Sequence, residues 1–235
     1  SYAPSVLPLF EVNNKLYPNT TGTVIMGKDI GGYEVQGVLN NIPILTEVSN
    51  TGIAVAQADV DGLIRRLPLL MRTPDGWVSA YGTEVLKVLL GASTYIIKTN
   101  KNGIEEVRVQ GLPPIPVDSL GRKWVSWVDT PQTTLQEMDV EGTFVFVGVT
   151  ASGVMPQLAT PVGLLEPHKI QAALAESILI QNSPQIPDYA AGVELLMLLA
   201  SVVAVWVFIN SLGITLGVFL STCILILTSV VGVYF

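Results

Sequence analysis

The end of this chain has no charge. From Leu195 to Phe235 there is not one Asp, Glu, Lys, Arg or His. Soluble helices nearly always keep a polar stripe, so a buried helix pair of a soluble core is the weaker reading of such a run. Cysteine is almost missing too: Cys223 stands alone inside the uncharged run, which excludes a disulfide within the chain and every zinc spacing built on Cys. Histidine occurs once, as His168. Neither G-x-S-x-G nor H-E-x-x-H is present, so a His-based metal site or a nucleophile–base pair has no partners by spacing. Basic residues are few, with 12 Lys and Arg against 19 Asp and Glu for a net charge of −7. That balance argues against a nucleic-acid partner and against docking on anionic lipid through a basic patch. No cofactor is implied. Ser1-Tyr2-Ala3-Pro4 lacks the basic start and apolar stretch of a signal peptide.

What the uncharged run does contain is two apolar segments, 189–209 and 214–235, separated by the turn-like tetrad Asn210-Ser211-Leu212-Gly213. Each is about 21 residues, or about 31 Å as helix, against a hydrocarbon core of about 30 Å. The expectation is an all-α transmembrane hairpin with the lipid bilayer as its surroundings. Residues 1–183 then form a water-soluble α/β domain, and 184–188 a linker stiffened by Pro184 and Pro187. The approach to the membrane, Gln181 to Tyr189, carries only Asp188 and no basic residue, which favours the soluble domain outside the cytoplasm. An exported domain without an export signal or initiator Met implies that chain before Ser1 is missing.

Along the soluble part, Thr23–Met26 reads as a buried strand, followed by a loop from Gly27 to Gly37. Pro43 to Ser49 reads as one or two helical turns with Pro at the first position. A strand from Ile53 runs into Asp59-Val60-Asp61-Gly62, a turn signal, and Leu63–Arg72 returns from it as the second arm of a hairpin. Trp77–Leu90 has helical spacing closed by Gly91. Strands are expected at Thr94–Lys98, Glu106–Gln110 and Lys123–Val128, where Trp124 and Trp127 cannot share a face. Thr143–Val149 is a continuous apolar run, the pattern of a strand covered on both faces. A helix over Pro167–Gln181 presents Ile170, Ala173, Leu174, Ile178 and Leu179 inward and should pack on that strand.

The densest charged constellation is Asp59-Val60-Asp61-Gly62-Leu63-Ile64-Arg65-Arg66. It is not an EF-hand loop, because the third acidic position and the later Glu are missing. It reads either as a turn whose carboxylates pair with the two Arg or as a ligand-facing rim. Gly148-Val149-Thr150-Ala151-Ser152-Gly153 follows the expected strand but lacks the phosphate-cradling patterns, so Thr150 and Ser152 are expected to satisfy loop backbone. As the second residue of its helix, His168 is expected to make a local hydrogen bond.

Ile44-Leu45, Gly52 and Asp59–Leu69 together resemble the central signature of the CHASE sensor domain of the second type. Phe144–Val149, Thr160-Pro161 and the helix with Gln171-Ala172 resemble its closing strand, Thr-Pro loop and final helix. The resemblance covers roughly Pro43 to Phe235. It implies an extracytoplasmic sensor of a bacterial inner-membrane protein, its soluble domain in the periplasm. It also implies an output cyclase or kinase elsewhere in the protein and no catalysis in this segment. Family members usually carry a first membrane helix, three final ones and an acidic residue before Thr-Pro. Here Met155-Pro156-Gln157-Leu158 has none. The expected rim is Asp59, Asp61, Arg65, Arg66, Thr150 and Thr160, facing a small ligand or periplasmic protein. Pro184 and Pro187 are expected to transmit. A homodimer and membrane-complex neighbours are the further partners considered. The rival reading is a non-catalytic docking subunit of a larger membrane complex.

Overall fold

The computed structural model describes residues 4–127, 144–151, 155–181, 190–212, 218, 219 and 222. The chain divides into two units, Ser1–Pro184 and Gln185–Phe235. The first opens with β1 (Val6–Glu11), β2 (Thr23–Met26), β3 (Tyr33–Glu34), β4 (Val38–Leu39), α1 (Pro43–Thr46) and β5 (Asn50–Ile53). Next come β6 (Arg66–Pro68), β7 (Leu70–Thr73), β8 (Gly76–Ser79) and α2 (Tyr81–Leu89). It continues with β9 (Tyr95–Asn100), β10 (Gly103–Val109), β11 (Ile115–Pro116), β12 (Arg122–Trp124), β13 (Leu158–Thr160), β14 (Gly163–Leu165) and α3 (Pro167–Ile180). In the second unit lies α4 (Ala190–Leu212). The first unit is thus a mixed α/β domain, rich in short sheets.

Among the described residues the strands form five small sheets: β4-β1-β5, β11-β10-β9-β2, β12-β6, β13-β14 and β3-β7-β8. The expected hairpin across Asp59–Gly62 is not formed. β5 ends at Ile53 and runs parallel to β1, with Leu9 opposite Ile53, while β6 pairs with β12. The apolar stretch Leu63–Arg72 is likewise not one strand. At Leu69 the chain passes between sheets, its N–H donating to Gly121 C=O and its C=O accepting from Ala80 N–H. Trp77 to Ser79 is strand rather than helix, laddered as Arg72–Trp77, Met71–Val78 and Leu70–Ser79 around Pro74-Asp75. Helix α2 starts only at Tyr81, and Leu89 and Leu90 are exposed.

Residues 144–149 form no strand among the described residues. Phe144, Val145, Val147 and Val149 are exposed, and only Phe146 packs on the core, its ring edge-on to Tyr81. A continuous apolar run is ambiguous because periodicity cannot say which element will ladder with it.

Alternation across β9 and β10 buries Tyr95, Ile97, Val107 and Val109, paired in register. These join Leu67, Leu70, Leu86, Ile170, Leu174 and Ile178 in the main core. A second cluster holds Leu9, Val38, Ile53, Met71 and Val78. Helix α3 packs chiefly against α2 and meets residues 144–149 at its start, where His168 lies against Gly148; Leu179 is exposed. The approach is close because residue 82 is glycine: a Cβ there would lie 2.8 Å from Gln171 C=O and 3.4 Å from Leu174 Cδ2.

Two buried polar side chains fasten α3. Gln171 accepts from Gly82 N–H at 3.1 Å and donates to Val55 C=O at 3.0 Å. Helix α2 has no side-chain cap of its own, so this contact satisfies one of its open N-terminal donors. One and a half turns on, Ser177 Oγ accepts from Ser126 N–H at 2.8 Å and donates to Ala173 C=O at 2.6 Å. Gln171 is 2% exposed and Ser177 0%. Helix α3 is therefore tied to the β5–α2 side and to the segment leaving β12.

Helix α4 has 23 residues, about 34 Å at 1.5 Å per residue. Gly192–Ser211 is the one stretch among the described residues long and apolar enough to cross a membrane. It does not stop at Ile209. Asn210 and Ser211 are helical, and Asn210 Nδ2 donates to Trp206 C=O at 2.8 Å, folding the amide back on the preceding turn. The expected second segment, 214–235, lies outside the described residues except for Val218, Phe219 and Thr222. No hairpin is shown.

Candidate functional site

Asp59, Asp61, Arg65 and Arg66 come together, and the structure adds three residues from β12 and the turn before it. Asp59 N–H donates to Leu63 C=O, Gly62 N–H donates to Asp59 C=O, and Asp61 accepts from Leu63 N–H. This compact turn brings the carboxylates to the arginines that follow. Arg65 forms a two-pronged pair with Asp61, at 2.9 and 2.7 Å, and lies 3.7 Å from Asp59. Arg66 reaches Asp59 and, 52 residues away, Asp118 at 3.2 Å. Asp118 also holds Arg122 at 2.8 Å, and its other oxygen accepts the backbone N–H of Leu120 and of Arg122. Trp124 lies opposite Arg66 in the antiparallel pair, and the guanidinium sits 5.1 Å over its ring.

The site is graded in exposure. Asp59, Asp118, Arg122 and Arg66 are mostly buried, whereas Asp61 is half exposed. The Arg65 guanidinium, helped by the Leu63 N–H, holds the Asp61 carboxyl down to about 2. Arg65 is in turn held above its ordinary value by Asp61. Three carboxylates balance three guanidiniums, so the cluster clamps the Asp59–Arg66 segment to the Asp118–Trp124 segment. One donor in it, the buried Nε–H of Arg66, has no partner among the described residues. An anion entering here competes with an aspartate already in place.

Thr150 and Thr160 do not join the cluster. Thr150 is exposed in the loop. Thr160 is 4% exposed and donates to Gly163 C=O at 2.7 Å, closing the β13–β14 hairpin. That hairpin does touch the segment that leads into the arginines, since Ile64 N–H donates to Ala159 C=O at 2.9 Å. Pro184, Pro187 and Ser152 lie outside the described residues. His168 is packed against Gly148, where a Cβ would overlap its ring. Burial lowers its pKa, with Glu166 opposing. Beside it, Lys169 holds Glu166 down to about 2.

Sequence reasoning missed a buried polar knot under α2. Glu84, 4% exposed, accepts from Ser79 Oγ at 2.6 Å, Tyr95 Oη at 2.9 Å and Lys87 Nζ at 3.0 Å. Burial and the Glu84 charge push the Tyr95 hydroxyl well above its usual range. It also missed Asp118, though Asp118-Ser119-Leu120-Gly121 is a turn signal of the same kind as Asp59–Gly62. No group of His, Cys, Asp and Glu able to hold a metal ion occurs among the described residues.

The family model of the CHASE2 domain matches residues 11–211. No curated protein and no solved structure matches the chain.

Proposed function

We propose that this chain, which belongs to the CHASE2 domain family of extracellular sensor domains in signal-transduction proteins, is the signal-input part of a bacterial inner-membrane receptor. The α/β domain lies in the periplasm, anchored by helix α4 and by the apolar segment 214–235 as membrane helices. It carries out no reaction itself; the output, a cyclase or kinase, belongs to another part of the protein. A small ligand or periplasmic partner binds at the rim around Asp59, Asp61, Arg65 and Arg66 and shifts α3. The Pro184–Pro187 linker passes the shift to the membrane helices as a biased two-state element.

The observation that carries this reading is the fastening of α3. Gln171 joins it to Val55 and Gly82, and Ser177 joins it to Ser126, two residues beyond Trp124 of the charged cluster. A displacement at the cluster therefore has a short, hydrogen-bonded route to α3. From Gln181 to Tyr189 the chain can span at most about 30 Å, at 3.3–3.6 Å per residue, leaving little slack to absorb that displacement. A flexible Gly-Ser stretch inserted after Ser183 should preserve folding and membrane insertion and uncouple the output. Signalling that stays intact would make the domain a docking module instead.

A further inference from the structure

The stretch from Leu39 to Val48 is rich in aliphatic side chains and gives none of them to the core. Helix α1, inside it, has no buried residue. Leu45 N–H donates to Ile42 C=O and Val48 N–H to Leu45 C=O, so the turn is held by its own backbone. On β4 just before it, Val38 is fully buried, and Leu39, the next residue, points to the other side of the strand. Leu16 joins from a separate part of the chain, its C=O accepting from Val38 N–H at 2.7 Å. Leu16, Leu39, Ile42, Ile44, Leu45 and Val48 are between 42% and 76% exposed. Together they leave open roughly 600 Å² of apolar surface, the upper end of what a monomer shows in one patch. Two charges stand in it: Lys15 precedes Leu16 and Glu47 precedes Val48. Both are exposed, and among the described residues neither has an ion-pair partner.

We infer that this face binds the same face of a second copy of the chain across a two-fold axis. Area supports it: two such faces in contact bury roughly 1,200 Å² in all, within the range of specific interfaces. Charge supports it too. A two-fold contact uses one patch twice, so Lys15 of each copy meets Glu47 of the other and both charges gain a partner. With a net charge of −7, two copies repel over most of their surface, and a face with a single carboxylate is where they can close. Lipid is the poorer occupant, because residues 39–48 include no aromatic and no basic side chain. The chain's own 128–143 is poorer still, since Asp129, Glu137, Asp139 and Glu141 make it a costly cover for an apolar surface. The inference does not rest on the Asp59–Arg66 rim.

The test uses the full chain diluted into excess lipid, with Val48→Cys in a Cys223→Ser background and a short bismaleimide. A cross-linked dimer should form, and adding Ile44→Asp should lower its yield at least about tenfold. Lys15→Glu should lower the yield as well, and Lys15→Glu combined with Glu47→Lys should restore it, which a merely adhesive surface would not do. These side chains are exposed, so far-ultraviolet dichroism should show the fold unchanged; should Ile44→Asp unfold the chain, the charge reversal and its rescue decide alone. No cross-link, a yield indifferent to Ile44→Asp, or a reversal that is not rescued overturns the inference. A Val48→Cys thiol shielded from a monofunctional maleimide without cross-linking also overturns it, because lipid or 128–143 would then cover the patch. Any of these failures leaves the transmission reading standing, because the Gly-Ser insertion tests that separately.

Discussion

Replacing Gln171 by Leu removes both hydrogen bonds that join α3 to the β5–α2 side and puts an apolar side chain of comparable size in their place. The side chain is 2% exposed, so water cannot readily take over from it. The variant strands Gly82 N–H, now facing a hydrocarbon instead of an acceptor 3.1 Å away, and Val55 C=O, which loses its donor at 3.0 Å. Each buried backbone group left unpaired costs about 1–3 kcal/mol. Two such groups, offset in part by the added apolar burial, give a loss of about 2–4 kcal/mol. For a chain of this size that is a fall in melting midpoint of roughly 5–15 °C. The near-ultraviolet dichroism of Trp77, Trp124 and Trp127 follows the transition in nanodiscs. Gln171→Glu separates the two bonds, because it keeps the acceptor for Gly82 and loses the donor to Val55. A Gln171→Leu variant that melts within a degree or two of wild type would refute the claim that this side chain fastens the helix.

Arg66→Ala removes pairs to Asp59 and Asp118 and the contact with Trp124, and should destabilise the domain by about 1–3 kcal/mol in denaturant titrations. Arg65→Ala, whose main partner Asp61 is half exposed, should be hard to distinguish from wild type in the same assay. Gly148→Ala forces a Cβ into the His168 ring and should loosen the 144–151 segment from the start of α3, read as faster amide exchange there with little change elsewhere. Stability should hold between about pH 5 and 9 and fall on both sides. Asp61 and Glu166 are held down to about 2, so their contribution, small for the half-exposed Asp61, is present above the ordinary carboxylate range and lost as pH drops toward that value. Tyr33 is pushed up to about 12 by burial and by Glu11, so its contribution is complete below 10 and lost as pH rises through 12. Tyr33→Phe should remove that part of the alkaline limb.

Where local pattern decided the structure, the sequence was readable. The alternation of Tyr95 to Lys98, the Asn102-Gly103 turn and the helical spacing of Ile170, Leu174 and Ile178 each point to the element that formed. Where the choice of partner decided it, the pattern was silent. Leu67, Leu69, Leu70 and Met71 are all buried and read as one strand, yet Leu69 hands the chain from β12's side to β8's. Trp77 and Val78 fit a helical stripe, but Asp75-Gly76 is a hairpin signal, and the ladder to Arg72 and Met71 prevails. In the cluster, Asp59, Asp61 and the two arginines are visible as neighbours in the chain. Asp118 and Arg122 are not, because they arrive through the β6–β12 pairing. The expected strand at Thr143–Val149 has no ladder partner among the described residues, and apolar composition alone cannot supply one.

The side of the membrane on which the α/β domain lies tests the account most directly. Val60, at the tip of the Asp59–Gly62 turn, is fully exposed and can be replaced by cysteine in a Cys223→Ser background. A membrane-impermeant maleimide should label Val60→Cys in intact spheroplasts to the same extent as after detergent lysis. Labelling that appears only after lysis would put the domain in the cytoplasm and contradict its role as an extracellular sensor.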